Sequence, residues 1–126
     1  MWGISRSLTD AQIKELATYY AEQKPVADKQ KNSKLEGEGK RIFVSGIPNE
    51  TVPACAACHG AEGAGNEQFP RIAGQHADYL VKQLKVFQKT EGRPDATVMN
   101  GIAHNLKPDE IKAVAAYVST MSWERL

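Results

Sequence analysis

The chain has 126 residues, 41 % of them hydrophobic, and a formal net charge of +1 from 16 basic and 15 acidic side chains. That length predicts one domain with at most a short appendage, and the balanced charge argues against nucleic acid as the main partner. No run approaches the roughly 20 apolar residues of a membrane-spanning helix, so no transmembrane segment is expected.

Residues 1–23 contain Arg6, Asp10, Lys14 and Glu15, which excludes a secretory signal peptide there. The segment is instead one copy of an internal repeat. At an offset of 98 it aligns without gaps on residues 99–121, with eight identities: Met1/Met99, Gly3/Gly101, Ile4/Ile102, Leu8/Leu106, Ile13/Ile111, Lys14/Lys112, Ala17/Ala115 and Tyr19/Tyr117. Both copies have helical periodicity, through Ile13, Leu16, Ala17 and Tyr20 in the first and Ile111, Val114, Ala115 and Val118 in the second. Thr9 and Gln12 form a capping-box signature, and Pro108 suits the first position of the later helix. Two unrelated amphipathic helices could match by chance, but the shared Met-x-Gly-Ile lead-in lies outside the helix. Residues 1–24 are therefore expected to be the closing helix of a preceding domain whose own Cys-x-x-Cys-His is absent from the chain. Polar residues 25–34 read as a linker, and 35–126 as one complete module. The apolar face of the first helix needs cover, either on 35–126 or on a second copy by helix exchange, which would make a homodimer.

Within the module, Leu35 to Val44 is a short helix candidate anchored by Ile42 and Phe43. Gly46, Pro48 and Pro53 mark a loop leading to Cys55-Ala56-Ala57-Cys58-His59. This motif holds both cysteines of the chain. Its spacing suits thioether attachment of one haem, with each thiol added across a vinyl group and the adjacent imidazole on the iron. The rival uses of a Cys-x-x-Cys pair fit less well. A thioredoxin-like couple expects a βαβ context. A zinc site needs four ligands, and His76 and His104 have the wrong spacing. A Cys55–Cys58 disulfide would close a tiny loop. Gly60, Gly63 and Gly65 predict a loop along the haem edge.

His76 to Thr90 is the next predicted helix, with Leu80, Leu84 and Phe87 inward, Lys82, Lys85 and Lys89 outward, and Gly92 and Pro94 as its stop. Arg93–Asn105 reads as a loop containing Met99. The last helix runs from Pro108 to about Met121. No strand pattern competes, so the fold class is all-α. Met99, Met121, His76 and His104 are the candidates for a second axial ligand opposite His59. Met121 is expected to pack, and the two histidines to be solvated or to cap helices. Met99 is the expected ligand, since a loop would let its thioether reach over the ring and its context is the repeated one.

Four segments together carry a resemblance. They are Val52-Pro53-Ala54-Cys55-Ala56-Ala57-Cys58-His59-Gly60, Phe69-Pro70-Arg71-Ile72-Ala73-Gly74-Gln75, Tyr79-Leu80-Val81-Lys82-Gln83-Leu84 and Met99-Asn100-Gly101-Ile102-Ala103. On them the chain resembles class I cytochromes c, especially the second haem domain of dihaem cytochromes c4 and related c5/c553-like modules. Residues 1–23 are similar to the end of the first module of such tandem proteins. The resemblance implies a small haem domain with an extra N-terminal helix and one covalent haem c. It implies that the Pro70 carbonyl accepts the Nδ1–H of His59, and that Arg71, Tyr79 and Gln83 meet the haem propionates. It implies maturation outside the cytoplasm, hence a periplasmic location, free or tethered through an upstream region.

With His59 and Met99 on opposite faces, the iron has no open site, and the expected function is one-electron transfer between Fe(III) and Fe(II), not enzyme catalysis. Redox proteins, such as a terminal oxidase or a dehydrogenase, are the expected partners. The alternatives are a haem enzyme or gas sensor with an open distal side, and a docking module whose haem serves as core.

Overall fold

The computed structural model describes residues 1–24, 26–29, 31–89 and 96–122. Its helices, in chain order, are α1 (Trp2–Ser5), α2 (Asp10–Glu22), α3 (Ser33–Ser45), α4 (Ala56–His59), α5 (Ala77–Lys89), α6 (Thr97–His104) and α7 (Pro108–Thr120), with a 3-10 turn at Pro48–Glu50. Among the described residues the only β pairing is an isolated antiparallel bridge between Ile47 and Val52. The all-α fold class holds.

The core lies between α3 and α7. Ile42, Phe43, Ala113, Val114 and Val118 form its buried centre. Ile42, Phe43 and Ile111 are the largest fully buried side chains, each stabilising the fold by roughly 1.5–3 kcal/mol through burial. The Phe43 and Tyr117 rings meet at 5.6 Å. Local signals set the helix starts. Asn32 caps α3 by accepting from the Leu35 N–H, and Glu36 returns from the first turn, its Oε1 accepting from the N–H groups of Lys31 (2.8 Å) and Asn32 (3.1 Å). Pro108 opens α7, whose N-cap N–H, from Lys107, donates to Glu110. Lys107 also pairs with Glu50, which ties the 3-10 turn to the start of α7.

Close approach of α3 to α7 depends on Gly39. A Cβ there would lie 2.6 Å from the Ala113 carbonyl carbon and 2.8 Å from the Tyr117 Cβ. Gly37, two residues earlier, faces open space.

A second cluster of Val52, Leu106 and Ile111, with Val81, Leu84 and Ile102 against it, joins α5 to the α6–α7 connection. Met99 does not lie in a loop as the sequence suggested. It sits in the first half of α6, whose eight residues were too few for the periodicity to register. The segment 90–95, which holds the expected helix stop at Gly92 and Pro94 and the start of the expected loop at Arg93, lies outside the described residues.

The repeat persists in the backbone. Shifted by 98, α2 coincides with α7 residue for residue, and α1 falls inside α6. The segment 1–23 is thus two helices joined by a turn. The capping box of α2 is formed, with Thr9 Oγ1 accepting from Gln12 N–H and Gln12 Oε1 from Thr9 N–H. Burial differs sharply: Ile111, Val114, Ala115 and Val118 are buried, whereas Ile13 and Leu16 are 47 % and 44 % exposed and Tyr20 is 69 % exposed. Neither α1 nor α2 has a buried residue.

Gly39→Ala is expected to destabilise the protein by about 1–3 kcal/mol through overpacking. Gly37→Ala should stabilise it by about 0.5–1 kcal/mol through reduced chain entropy. Denaturant midpoints of the two holo-variants check the pair.

Candidate haem site

The motif Cys55–His59 folds as one helical turn. The His59 N–H donates to the Cys55 carbonyl at 2.9 Å, and the Cys58 N–H contacts the same carbonyl at 3.3 Å. Residues three and four apart share a helix face, so Cys55, Cys58 and His59 are presented together. A four-residue helix is not stable alone. It is seated because Cys55 and Ala56 pack on the α3–α7 core.

His59 is buried, and its Nδ1 lies 2.9 Å from the Pro70 carbonyl oxygen. A carbonyl only accepts, so Nδ1 carries a proton and Nε2 is the nitrogen left for a ligand. Such a bond orients a ligating imidazole and raises its basicity. The Phe69 ring meets the His59 ring edge-on, with centroids 6.2 Å apart.

The loop that places Pro70 is closely knit. Gly65 N–H donates to the His59 carbonyl at 2.8 Å, Asn66 N–H to the Phe69 carbonyl at 2.8 Å, and Ile72 N–H to the Gly63 carbonyl at 2.9 Å. Asn66 Oδ1 accepts from the N–H groups of Gln68 and Phe69. Gly74 N–H reaches the Val118 carbonyl at 3.1 Å and anchors the loop to α7. Gly65 adopts φ +72°, and a Cβ there would lie 2.6 Å from both the Pro70 carbonyl carbon and the Arg71 nitrogen. Only glycine fits both demands.

Cys55 and Cys58 are free and half-buried. Burial pushes the Cys55 thiol up to about 11, with the neighbouring Cys58 a smaller cause in the same direction. A protonated thiol is the reverse of the activated thiolate of a redox couple. Among the described residues no three His, Cys, Asp or Glu side chains converge. A buried imidazole with Nδ1 committed to a carbonyl, beside two thiols on one turn, is a donor set that fits haem c.

A family model described as Cytochrome c matches residues 37–122. The chain belongs to the cytochrome c family. Its single Cys-x-x-Cys-His accommodates one covalent haem c. It is 42 % identical over 123 residues to a cytochrome c-552 of Acidithiobacillus ferridurans, an alignment covering 96 % of this chain and 52 % of the relative. It is 31 % identical over 123 residues to a thiosulfate dehydrogenase electron acceptor of Thiomonas intermedia, covering 94 % of this chain and 57 % of the relative. The solved structure of Acidithiobacillus ferrooxidans cytochrome c4 superposes with a TM-score of 0.80 at 41 % identity, over 95 % of this chain and 69 % of that one. The chain thus spans about half the length of these curated relatives.

The other residues singled out from sequence are spread around the module. Met99 is half-buried on α6. Arg71 is exposed, in the loop after Pro70, and Gln83 is half-buried on α5. Tyr79, also on α5, is 47 % exposed. Met121 ends α7 and packs against the core. His76 and His104 are exposed, His104 as the last residue of α6. Sequence reasoning missed the buried Glu36, the Glu50–Lys107 pair, and Gln88, whose Nε2 donates to the carbonyls of Ala103 and Leu106 at 2.8 and 2.9 Å. A glutamine one turn after Leu84, on the inward face of α5, was the available signal for the last.

Gly65→Ala is expected to displace the Pro70 carbonyl and weaken its bond to His59. A less basic imidazole stabilises Fe(III) less, so the midpoint potential should rise by about 50 mV, roughly 1 kcal/mol for one electron. Protein-film voltammetry checks the sign and size.

Proposed function

We propose that the chain is an electron carrier, moving one electron at a time on haem c held by thioethers from Cys55 and Cys58, with His59 and Met99 as axial ligands. The observation that carries this reading is the His59 ring, buried within the Cys-x-x-Cys-His turn with Nδ1 committed to the Pro70 carbonyl. When bound, the haem supplies the Fe(III)/Fe(II) couple. His59 is oriented by Pro70 and offers Nε2. Met99 offers a neutral thioether that favours the reduced state. The apolar side chains of the α3–α7 core exclude water from behind the motif and favour the lower charge in the same way. Arg71, Tyr79 and Gln83 are assigned to the propionates on the resemblance of their motifs.

Residues 1–24 are assigned as the closing segment of another module of the same kind, 25–34 as linker, and 35–126 as the haem domain. The support is the shared register of α1–α2 with α6–α7, together with an apolar stripe that is buried on α7 and uncovered on α2. Partners are redox proteins, and the relative named as a thiosulfate dehydrogenase electron acceptor favours a dehydrogenase as a donor. No helix among the described residues is long and apolar enough to cross a membrane. The assigned location is the periplasm, on the resemblance of the Cys-x-x-Cys-His motif to chains matured outside the cytoplasm.

Met99→Ala is expected to abolish the Met–Fe charge-transfer band of the oxidised protein and to lower the potential by on the order of 100 mV or more. Met121→Ala should leave both in place. An unchanged spectrum in Met99→Ala, or rapid carbon monoxide binding by the reduced parent protein, overturns the axial assignment. Intact mass should read one haem per chain. Removing residues 1–24 should leave the thermal midpoint of the remaining module within about 2 °C, because no buried residue is lost.

A further inference from the structure

We infer that Gln88 is a positioning residue for the sixth ligand, clamping the helix that bears Met99. This rests on the assignment of Met99 to the iron. The Gln88 carboxamide is half-buried on α5 and directs both hydrogens of one nitrogen at the end of α6, to the Ala103 carbonyl at 2.8 Å and the Leu106 carbonyl at 2.9 Å.

The last carbonyls of a helix lack partners within it. At the end of α6 the backbone supplies tight turns, Asn105 N–H to Ile102 O at 3.2 Å and Leu106 N–H to Ala103 O at 3.1 Å. At its other end α6 starts at Ala96 with no side-chain cap. An eight-residue helix without a cap does not hold itself. Its place comes from α5, through the apolar cluster in which Ile102, Val81 and Leu84 pack around Leu106, and through the two bonds from Gln88. The apolar contacts hold α6 against α5 without fixing its register, since hydrophobic attraction is non-directional. The two Gln88 bonds are directional, and they fix both the slide of α6 along its axis and its rotation. Ala103 is fully buried and lies four residues after Met99, one turn along the same face. Fixing the Ala103 carbonyl therefore fixes where the Met99 side chain starts.

An axial sulfur in equilibrium with a detached state exposes the iron to added ligands in proportion to the detached fraction. Loss of the clamp raises that fraction. Imidazole binding to the oxidised holo-protein reads it directly, and the denaturant midpoint reads global stability separately. Gln88→Leu, which keeps the volume and removes both donors, should tighten apparent imidazole binding about tenfold. Gln88→Lys, which returns a donor at similar reach, should restore most of the parental affinity. In a Met99→Ala background, Gln88→Leu should change imidazole affinity by less than about twofold.

The outcomes separate the two assignments. If Met99→Ala itself leaves imidazole affinity at the parental value, methionine ligation fails. If Met99→Ala tightens imidazole binding but Gln88→Leu does not, the clamp fails and ligation stands. A Gln88→Leu protein with a lowered denaturant midpoint and parental imidazole affinity assigns Gln88 a purely structural role and also overturns the inference. Should Gln88→Leu not yield holo-protein, Gln88→Asn, which withdraws the amide by one methylene, takes its place under the same outcomes.

Discussion

Two thiols and an imidazole must face a rigid planar ring from a single helical turn, and that turn is too short to be stable by its own hydrogen bonds. Everything around it answers this constraint. The turn rests on the α3–α7 core through Cys55 and Ala56. Its histidine is fixed from the side by Pro70. Its last carbonyl, on His59, accepts from Gly65. The loop from Gly60 to Gln75 therefore does the work that a longer helix would do for itself. Its own anchorage on α7, through Gly74 and the Val118 carbonyl, returns the load to the helix that forms half of the core.

The internal repeat separates what local sequence determines from what packing determines. The helices α2 and α7 occupy equivalent residues, and in each the third helical residue accepts from the N-cap N–H, Gln12 from Thr9 and Glu110 from Lys107. The same pattern of apolar positions is written in both. Among the described residues only α7 buries that stripe against a partner, and the condition for that meeting lies in α3, where Gly39 lets the two backbones come together. Helix boundaries are thus set within the segment, whereas burial is set by a complementary surface elsewhere. On α2 the position equivalent to Ala113 is Glu15, so even the closest-approach side of the stripe is not identical in the two copies.

Most of the helices were legible because their signals are local and repeated. The apolar spacing of α5 and α7, the Thr9 cap and Pro108 each act within one or two turns. The haem motif was legible because its chemistry needs contiguous residues. The helical turn α4 was legible in the same way, through the small, helix-favouring Ala56 and Ala57. Two features were not. The helix α6 is short, contains Gly101 and lacks a side-chain cap, so Met99 read as a loop residue. Gln88 acts across 15 and 18 residues of sequence on backbone carbonyls, which leave no trace in side-chain identity. What escaped was therefore a short uncapped helix and the glutamine that holds its end, while the long amphipathic elements were visible in advance.

A carrier that cycles between two charge states works best when neither state requires its ligands to move. The two proposed axial donors sit on the two least self-sufficient helices of the module, α4 and α6. Both are tied to the same pair of larger helices: α4 to the α3–α7 core, with its loop bound to α7, and α6 to α5 and, through Leu106 and Ile111, to α7 again. Since α7 is common to both paths, displacement of either donor has to strain a helix whose inner face is close-packed, and such a core yields little. Short ligand-bearing elements are thereby made rigid by borrowing the stiffness of α7, and the polar bonds of Pro70 and Gln88 set direction where apolar packing sets only proximity.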